Sequence, residues 1–115
     1  MNSSLYLGLF NFESHYALYK PDCFYKTHYD AFRGEKNRIV SIIIYLNHSW
    51  LKSDAGELVL FTAGDARIQL TVSPEFGTVV AFLSEEVPHE VLTTNRDRYS
   101  IAGWFCARRD NPMSW

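Results

Sequence analysis

"RIVSIIIYLNHSWLKSDAGELVLF", residues 38–61, holds two apolar runs parted by a polar stretch. The first, "RIVSIIIYL" (38–46), is dense in β-branched and aromatic side chains. The second, "ELVLF" (57–61), follows Asp54-Ala55-Gly56, a combination with turn chemistry. Neither run has the length or the 3.6-residue spacing of an amphipathic helix, so both read as strands. The same pattern recurs on either side: "FESHYALYK" (12–20), "FYKTHYD" (24–30), "ARIQLTV" (66–72), "TVVAFL" (78–83), "HEVLT" (89–93) and "YSIAGWFCA" (99–107). Turn signals divide them at Pro21-Asp22, Gly34-Glu35, Gly64-Asp65, Pro74 to Gly77 and Asn95 to Asp97. About eight short strands with no competing helical segment predict an all-β fold, two packed sheets of jelly-roll type.

The 115 residues, 47% of them hydrophobic and 16% aromatic, suit one domain spanning residues 1–115. No repeat, low-complexity run or linker-like change of composition divides the chain. A formal net charge of −2, from 11 basic and 13 acidic residues, gives no general attraction to nucleic acid or to anionic lipid. The start, "MNSSLYLGLFNF", lacks the basic region and apolar run of a signal peptide, and no window is long and apolar enough to span a bilayer. A cytoplasmic protein with no nucleic-acid or membrane partner is expected. Cys23 and Cys106 form no Cys-x-x-Cys pair and read as free thiols.

Function has to come from a site, because a jelly roll hosts many activities. His28 and Asp30, in "YKTHYDAFRG", are two apart at a strand end, which places both side chains on one face. His89, preceded by proline at the start of a later strand, is the best third member among the four histidines. Two histidines and a carboxylate on one side of a metal leave the opposite positions open, as in non-haem Fe(II) oxygenases. Arg98 follows in "RDRYSIAGWF", with a planar fork suited to a carboxylate. Taken alone, His-x-Asp is an ordinary polar strand end. His15 reads as a satisfied strand histidine, His48 as an exposed one.

His28-x-Asp30, His89 and Arg98-Tyr-Ser, carried by "YALYKPDCFYKTHYD", "RIVSIIIYLNHSW", "AGELVLF", "GTVVAFLSEEVPHEVL" and "RYSIAGWF" in that order, resemble the Fe(II)- and 2-oxoglutarate-dependent dioxygenases, most of all their prolyl hydroxylase branch. The resemblance covers roughly residues 12 to 106 and implies a double-stranded β-helix. It implies Fe(II) held by His28, Asp30 and His89, with 2-oxoglutarate as co-substrate, dioxygen as substrate and ascorbate as a stimulating reductant. It assigns Arg98, Tyr45 and Ser100 to the distal carboxylate of 2-oxoglutarate, and Tyr19 to the co-substrate near the metal. Arg38 and Trp104 match positions at the mouth and floor of the site, as weaker candidates for substrate contact. The implied reaction is hydroxylation of an unactivated C–H bond, in a prolyl residue of a protein or peptide, coupled to decarboxylation of 2-oxoglutarate.

Departures from the branch carry expectations of their own. Family members usually have helices before the first strand, packed on the larger sheet; here residues 1–11 are expected to be a remnant of that support. The uncovered sheet would then invite pairing into a homodimer. "AFRGEKN" (31–37) leaves room only for a small lid, and Ala102, where the branch often has a polar residue, implies one fewer hydrogen bond around the ligands. A cupin would present more histidines, and a halogenating relative would have a small residue at position 30. The alternative from another class is a catalytically impaired jelly-roll module that binds a protein or sugar.

Overall fold

The structure, a computed structural model, describes residues 10–30, 38–62 and 65–107. Of the expected remnant at 1–11, residues 1–9 lie outside the described residues and Phe10 and Asn11 instead begin β1; the lid segment 31–37 and the turn residues Gly34, Glu35 and Gly64 also lie outside the described residues. Eight strands follow one another: β1 (Phe10–Tyr19), β2 (Tyr25–His28), β3 (Arg38–Tyr45), β4 (Leu58–Thr62), β5 (Asp65–Val72), β6 (Val79–Leu83), β7 (His89–Val91) and β8 (Arg98–Ala107). Among the described residues the sole helical element is a 3-10 turn, Lys52–Asp54, ahead of the expected turn at Ala55-Gly56.

The strands form two four-stranded antiparallel sheets in the orders β1-β8-β3-β6 and β2-β7-β4-β5. Successive strands cross from one sheet to the other except at β4 and β5, which pair with each other in the second sheet; this is the jelly-roll connection of the double-stranded β-helix. The strand interval with most β-branched residues, β3, lies inside the larger sheet, flanked by β8 and β6.

Register decides which side chains meet. On the inner face of the larger sheet Ser41 stands opposite Trp104 and Phe82, Ile43 opposite Ala102 and Val80, and Tyr45 opposite Ser100. Tyr45, Leu58, Val80, Phe82 and Val91 pack between the sheets as the buried core. Burying a side chain of this size contributes about 1.5–3 kcal/mol, which favours keeping the two sheets packed face to face.

The outer face of the same sheet is different. Phe12, Phe105, Val40 and Leu83 form one row across the four strands, and Tyr16, Ile101, Ile44 and Val79 another. Ser14, Gly103, Ile42 and Ala81 stand in register between them. These three rows contain no charged residue. Phe12, Tyr16, Val79, Leu83 and Phe105 are all exposed, Tyr16 at 62%.

Candidate active site

β8 lines a cavity with every second residue: Arg98, Ser100, Ala102 and Trp104 all face it. His15, Ala17 and Tyr19 of β1 do the same from the neighbouring strand, and His28, His89, Leu58 and Val91 close it from the smaller sheet. The cavity has a volume of about 370 Å3, the size of a small-molecule pocket.

Three candidate metal ligands converge in it. His89 Nε2 lies 3.1 Å from Asp30 Oδ1, and His28 Nε2 lies 3.6 Å from the same oxygen. One ligand atom from each residue falls within 4.8 Å of the others. β2 and β7 are paired, with His28 and His89 as register partners, so the sheet itself sets the two imidazoles side by side. The expectation that strand alternation would present Asp30 needs correction. β2 ends at His28, and Asp30 lies beyond it in a bend. Side-chain bonds from the opposite sheet hold it instead: Ser41 Oγ donates to Asp30 Oδ2, as does Trp104 Nε1 at 2.9 Å.

The donor set fits a cation. His28 Nδ1 lies 2.8 Å from the Lys26 carbonyl and His89 Nδ1 3.1 Å from the Val87 carbonyl. A carbonyl only accepts, so each Nδ1 carries a proton; an imidazole whose Nε2 is then unprotonated, as a metal ligand must be, turns a lone pair toward Asp30, whereas with no cation present a bond from Nε2 to the carboxylate needs a proton there. Lone pairs from two nitrogens and a carboxylate oxygen repel unless a positive charge lies between them. Burial opposes the charge on Asp30, but the bonds to His28, His89 and Ser41 outweigh it and hold the carboxyl well below the usual carboxylate range. Burial likewise lowers the affinity of His28 for a proton, but Asp30 and the Lys26 carbonyl together more than reverse that, giving a net rise.

Arg98 forms a second centre. It is 2% exposed, donates from Nε to the Gly56 carbonyl at 2.7 Å and from Nη2 to the Tyr45 hydroxyl at 3.1 Å. Its guanidinium lies 5.0 Å from the Tyr45 ring centre and 5.3 Å from that of Tyr19. Among the described residues no carboxylate pairs with it. A buried cation held by neutral groups is costly, and an anion entering the cavity would offset the cost. Burial raises both phenols above their ordinary value, against the opposing pull of Arg98, so Tyr19 and Tyr45 stay protonated donors. Ser100, opposite Tyr45 and 4% exposed, lines the same wall.

Arg38 and Trp104 also meet. The Arg38 guanidinium sits 3.9 Å over the Trp104 ring, and Arg38 Nη1 donates to the Asp30 carbonyl at 3.0 Å. His15 is in β1 as expected, but it stands exposed at the cavity and packs 4.9 Å from Trp104. His48 is exposed and stacks on Phe76, away from the cavity. Ala102 supplies no polar group; the hydrogen bonds to Asp30 come from Ser41 and Trp104, and the sequence pattern did not single out Ser41. Its signal was available, since Ser41 shares strand parity with Tyr45 in an otherwise aliphatic run.

A sequence profile described as the 2OG-Fe(II) oxygenase superfamily matches residues 14–106. The chain belongs to this superfamily. Membership implies Fe(II) and 2-oxoglutarate as its metal and co-substrate. Among solved structures, this oxygenase is similar to a prolyl-4-hydroxylase of Pseudomonas putida, with 48% identity and a TM-score of 0.83, over 93% of this chain and 59% of that one. A prolyl hydroxylase of Trichoplax adhaerens, solved with a peptide fragment of the hypoxia inducible factor oxygen degradation domain, matches at 26% identity and a TM-score of 0.77, over 90% and 47%. A prolyl 4-hydroxylase of Phytophthora capsici matches at 29% and 0.68, over 90% and 34%. The oxygenase thus spans less than two thirds of each of these relatives.

Proposed function

We propose that residues 1–115 form one jelly-roll domain, the catalytic core of an Fe(II)- and 2-oxoglutarate-dependent dioxygenase that hydroxylates a prolyl residue in a protein or peptide. The observation that carries this is the shared cavity, in which a lone-pair triad and a buried, unneutralised arginine face the same space.

His28, Asp30 and His89 would hold the iron. Bound iron would supply, with dioxygen and 2-oxoglutarate, the oxidising power for C–H hydroxylation, leaving succinate and carbon dioxide as co-products. The remaining work belongs to the chain. Arg98 and Tyr45 bind the distal carboxylate of 2-oxoglutarate; the Tyr45 oxygen accepts from Arg98 and its own proton is left to donate. Ser100 lies beside them on the same wall, and Tyr19 reaches the co-substrate from β1. The aliphatic wall of Ile43, Leu58 and Val91 limits water around the reacting atoms. Arg38 and Trp104, stacked at the rim, are placed to contact the substrate.

The choice of a prolyl substrate is supported by the Pseudomonas putida and Trichoplax adhaerens relatives, the second of which was solved with a peptide. Ascorbate belongs in the assay as a reductant. The free thiols, Cys23 exposed and Cys106 buried, support a reducing, cytoplasmic setting, and no described helix is long and apolar enough to cross a membrane. The uncharged outer rows of the larger sheet support pairing of two copies.

Anaerobic titration of the purified chain with Fe(II) and 2-oxoglutarate tests the proposal. A visible metal-to-ligand charge-transfer band, absent in His28→Ala and in Asp30→Ala, is expected. Turnover of prolyl peptides to hydroxyproline with matching succinate release would follow. A folded protein that gives no band moves the chain to the binding-module class.

A further inference from the structure

The two oxygens of Asp30 are in different company. Oδ1 faces the two histidine nitrogens, whereas Oδ2 accepts hydrogen bonds from Ser41 Oγ and Trp104 Nε1. We propose that Ser41, itself oriented by Ser84, is a positioning residue that confines Asp30 to one-oxygen ligation and so keeps a coordination position open. The inference rests on the iron site proposed above.

Hydrogen-bond accounting gives the direction of the relay. Ser41 Oγ and Ser84 Oγ are 2.8 Å apart, and Ser41 has a single hydroxyl proton, which goes to Asp30. Ser84 must therefore donate to Ser41. Both are buried, at 1% and 0% exposed, so water does not compete. The backbone N–H of Ser84 donates to the Ile39 carbonyl at 2.9 Å, which fixes the end of β6 against β3. Ser41 and Trp104 are register partners on β3 and β8, so two adjacent strands aim their donors at one oxygen. A rigid sheet is a more exact mount than a bend, and Asp30 itself sits in the bend.

The consequence follows from counting positions on an octahedral ion. Two imidazoles and one carboxylate oxygen occupy half of them. A keto acid offering two oxygens to a bound ion would take two more and leave one. If Asp30 turned to offer both oxygens it would fill that last position. Turning costs the bonds to Ser41 and to Trp104 together, so the pair of donors opposes it.

Co(II) is the probe for the test, because its ligand-field spectrum reports coordination number and it can be titrated without turnover. In the full chain, Ser41→Ala is expected to weaken Co(II) binding roughly 10- to 100-fold, the usual effect of losing a partner of a metal ligand, and to alter the Co(II) spectrum. Ser41→Thr, which keeps the hydroxyl, should restore both, and Ser84→Ala should fall between. Parent affinity, parent spectrum and parent 2-oxoglutarate binding in a folded Ser41→Ala would overturn the inference. If Ser41→Ala does not fold, Ser84→Ala decides, and an unchanged spectrum and affinity there overturns it equally. A parent that binds neither Co(II) nor Fe(II) is a different failure, since it removes the iron site itself.

Discussion

Replacing Arg98 by methionine should separate the binding of 2-oxoglutarate from the folding of the domain. Methionine keeps roughly the unbranched stem of Arg98 without the guanidinium, whose two hydrogen bonds go to Gly56 O and the Tyr45 hydroxyl, neutral groups that do not compensate its charge. In the free protein, methionine leaves two buried acceptors with one partner fewer, at about 1–3 kcal/mol each, and relieves a buried cation of comparable cost. The two effects oppose each other, so stability should change by no more than about 2 kcal/mol. With 2-oxoglutarate bound there is no such cancellation. Removing one partner of a buried, hydrogen-bonded charge pair costs about 2–5 kcal/mol, which is roughly 30-fold to several thousand-fold in affinity. Calorimetric titration of the anaerobic Fe(II) protein with 2-oxoglutarate gives the affinity, and thermal melting gives the stability. The parent should gain about 2.7 kcal/mol from ligand at a hundred times its Kd, and the variant about 0.9 kcal/mol or less at that concentration. Arg98→Lys keeps the charge but not the fork, and should lie between. Arg98→Met binding 2-oxoglutarate within threefold of the parent would refute the anion-site assignment.

Tyr45→Phe removes one donor to the same carboxylate and should weaken 2-oxoglutarate about 10- to 150-fold, the range for a hydrogen bond to a charged group of about 1.5–3 kcal/mol. Because burial raises the Tyr45 phenol above 10.0, and only the protonated phenol donates, affinity in the parent should show no loss from this group between pH 7 and about 10. A decline in the parent that begins near pH 8 and disappears in Tyr45→Phe would contradict that sign. Gly56 has φ +68°, and an added Cβ would lie 2.9 Å from Thr94 Oγ1; Gly56→Ala should cost about 1–3 kcal/mol in denaturant unfolding and displace the carbonyl that holds Arg98. Tyr16→Lys with Val79→Lys should convert dimers to monomers in sedimentation equilibrium, without loss of Fe(II) binding; a parent that is monomeric at tens of micromolar would remove the dimer.

Strand positions were legible because each run alternates against one core and ends in turn chemistry. "RIVSIIIYL" reads 38–46 and forms a strand at Arg38–Tyr45; "YSIAGWFCA" reads 99–107 and the strand is Arg98–Ala107. The triad was legible through residue type and order, supported by family resemblance. What stayed hidden depends on register. The parity of Ser41 with Tyr45 points it to the same face, but that it stands opposite Trp104 and reaches an aspartate eleven positions earlier in the chain depends on register. His15 shares its parity with Ala17 and Tyr19, yet its place at the cavity rim follows from the pairing of β1 with β8, which separates residues 15 and 102 by one interstrand step. Asp30 shows the opposite case, a candidate ligand that meets the two histidines although the strand expected to carry it stops two residues sooner.

The uncharged rows on the outside of the larger sheet also set how any occupant of that face would respond to conditions. With no ionic group in Phe12, Phe105, Val40 and Leu83 or in Tyr16, Ile101, Ile44 and Val79, screening has little to act on, so sodium chloride up to a few tenths molar should scarcely change the association. Cooling should weaken it and sulfate should strengthen it, with a negative heat-capacity change on contact. The cavity, with its charged groups, would answer to ionic strength and acid, whereas the opposite side of the same strands would answer to temperature. One sheet, four strands wide, thus divides two kinds of recognition with different physical controls.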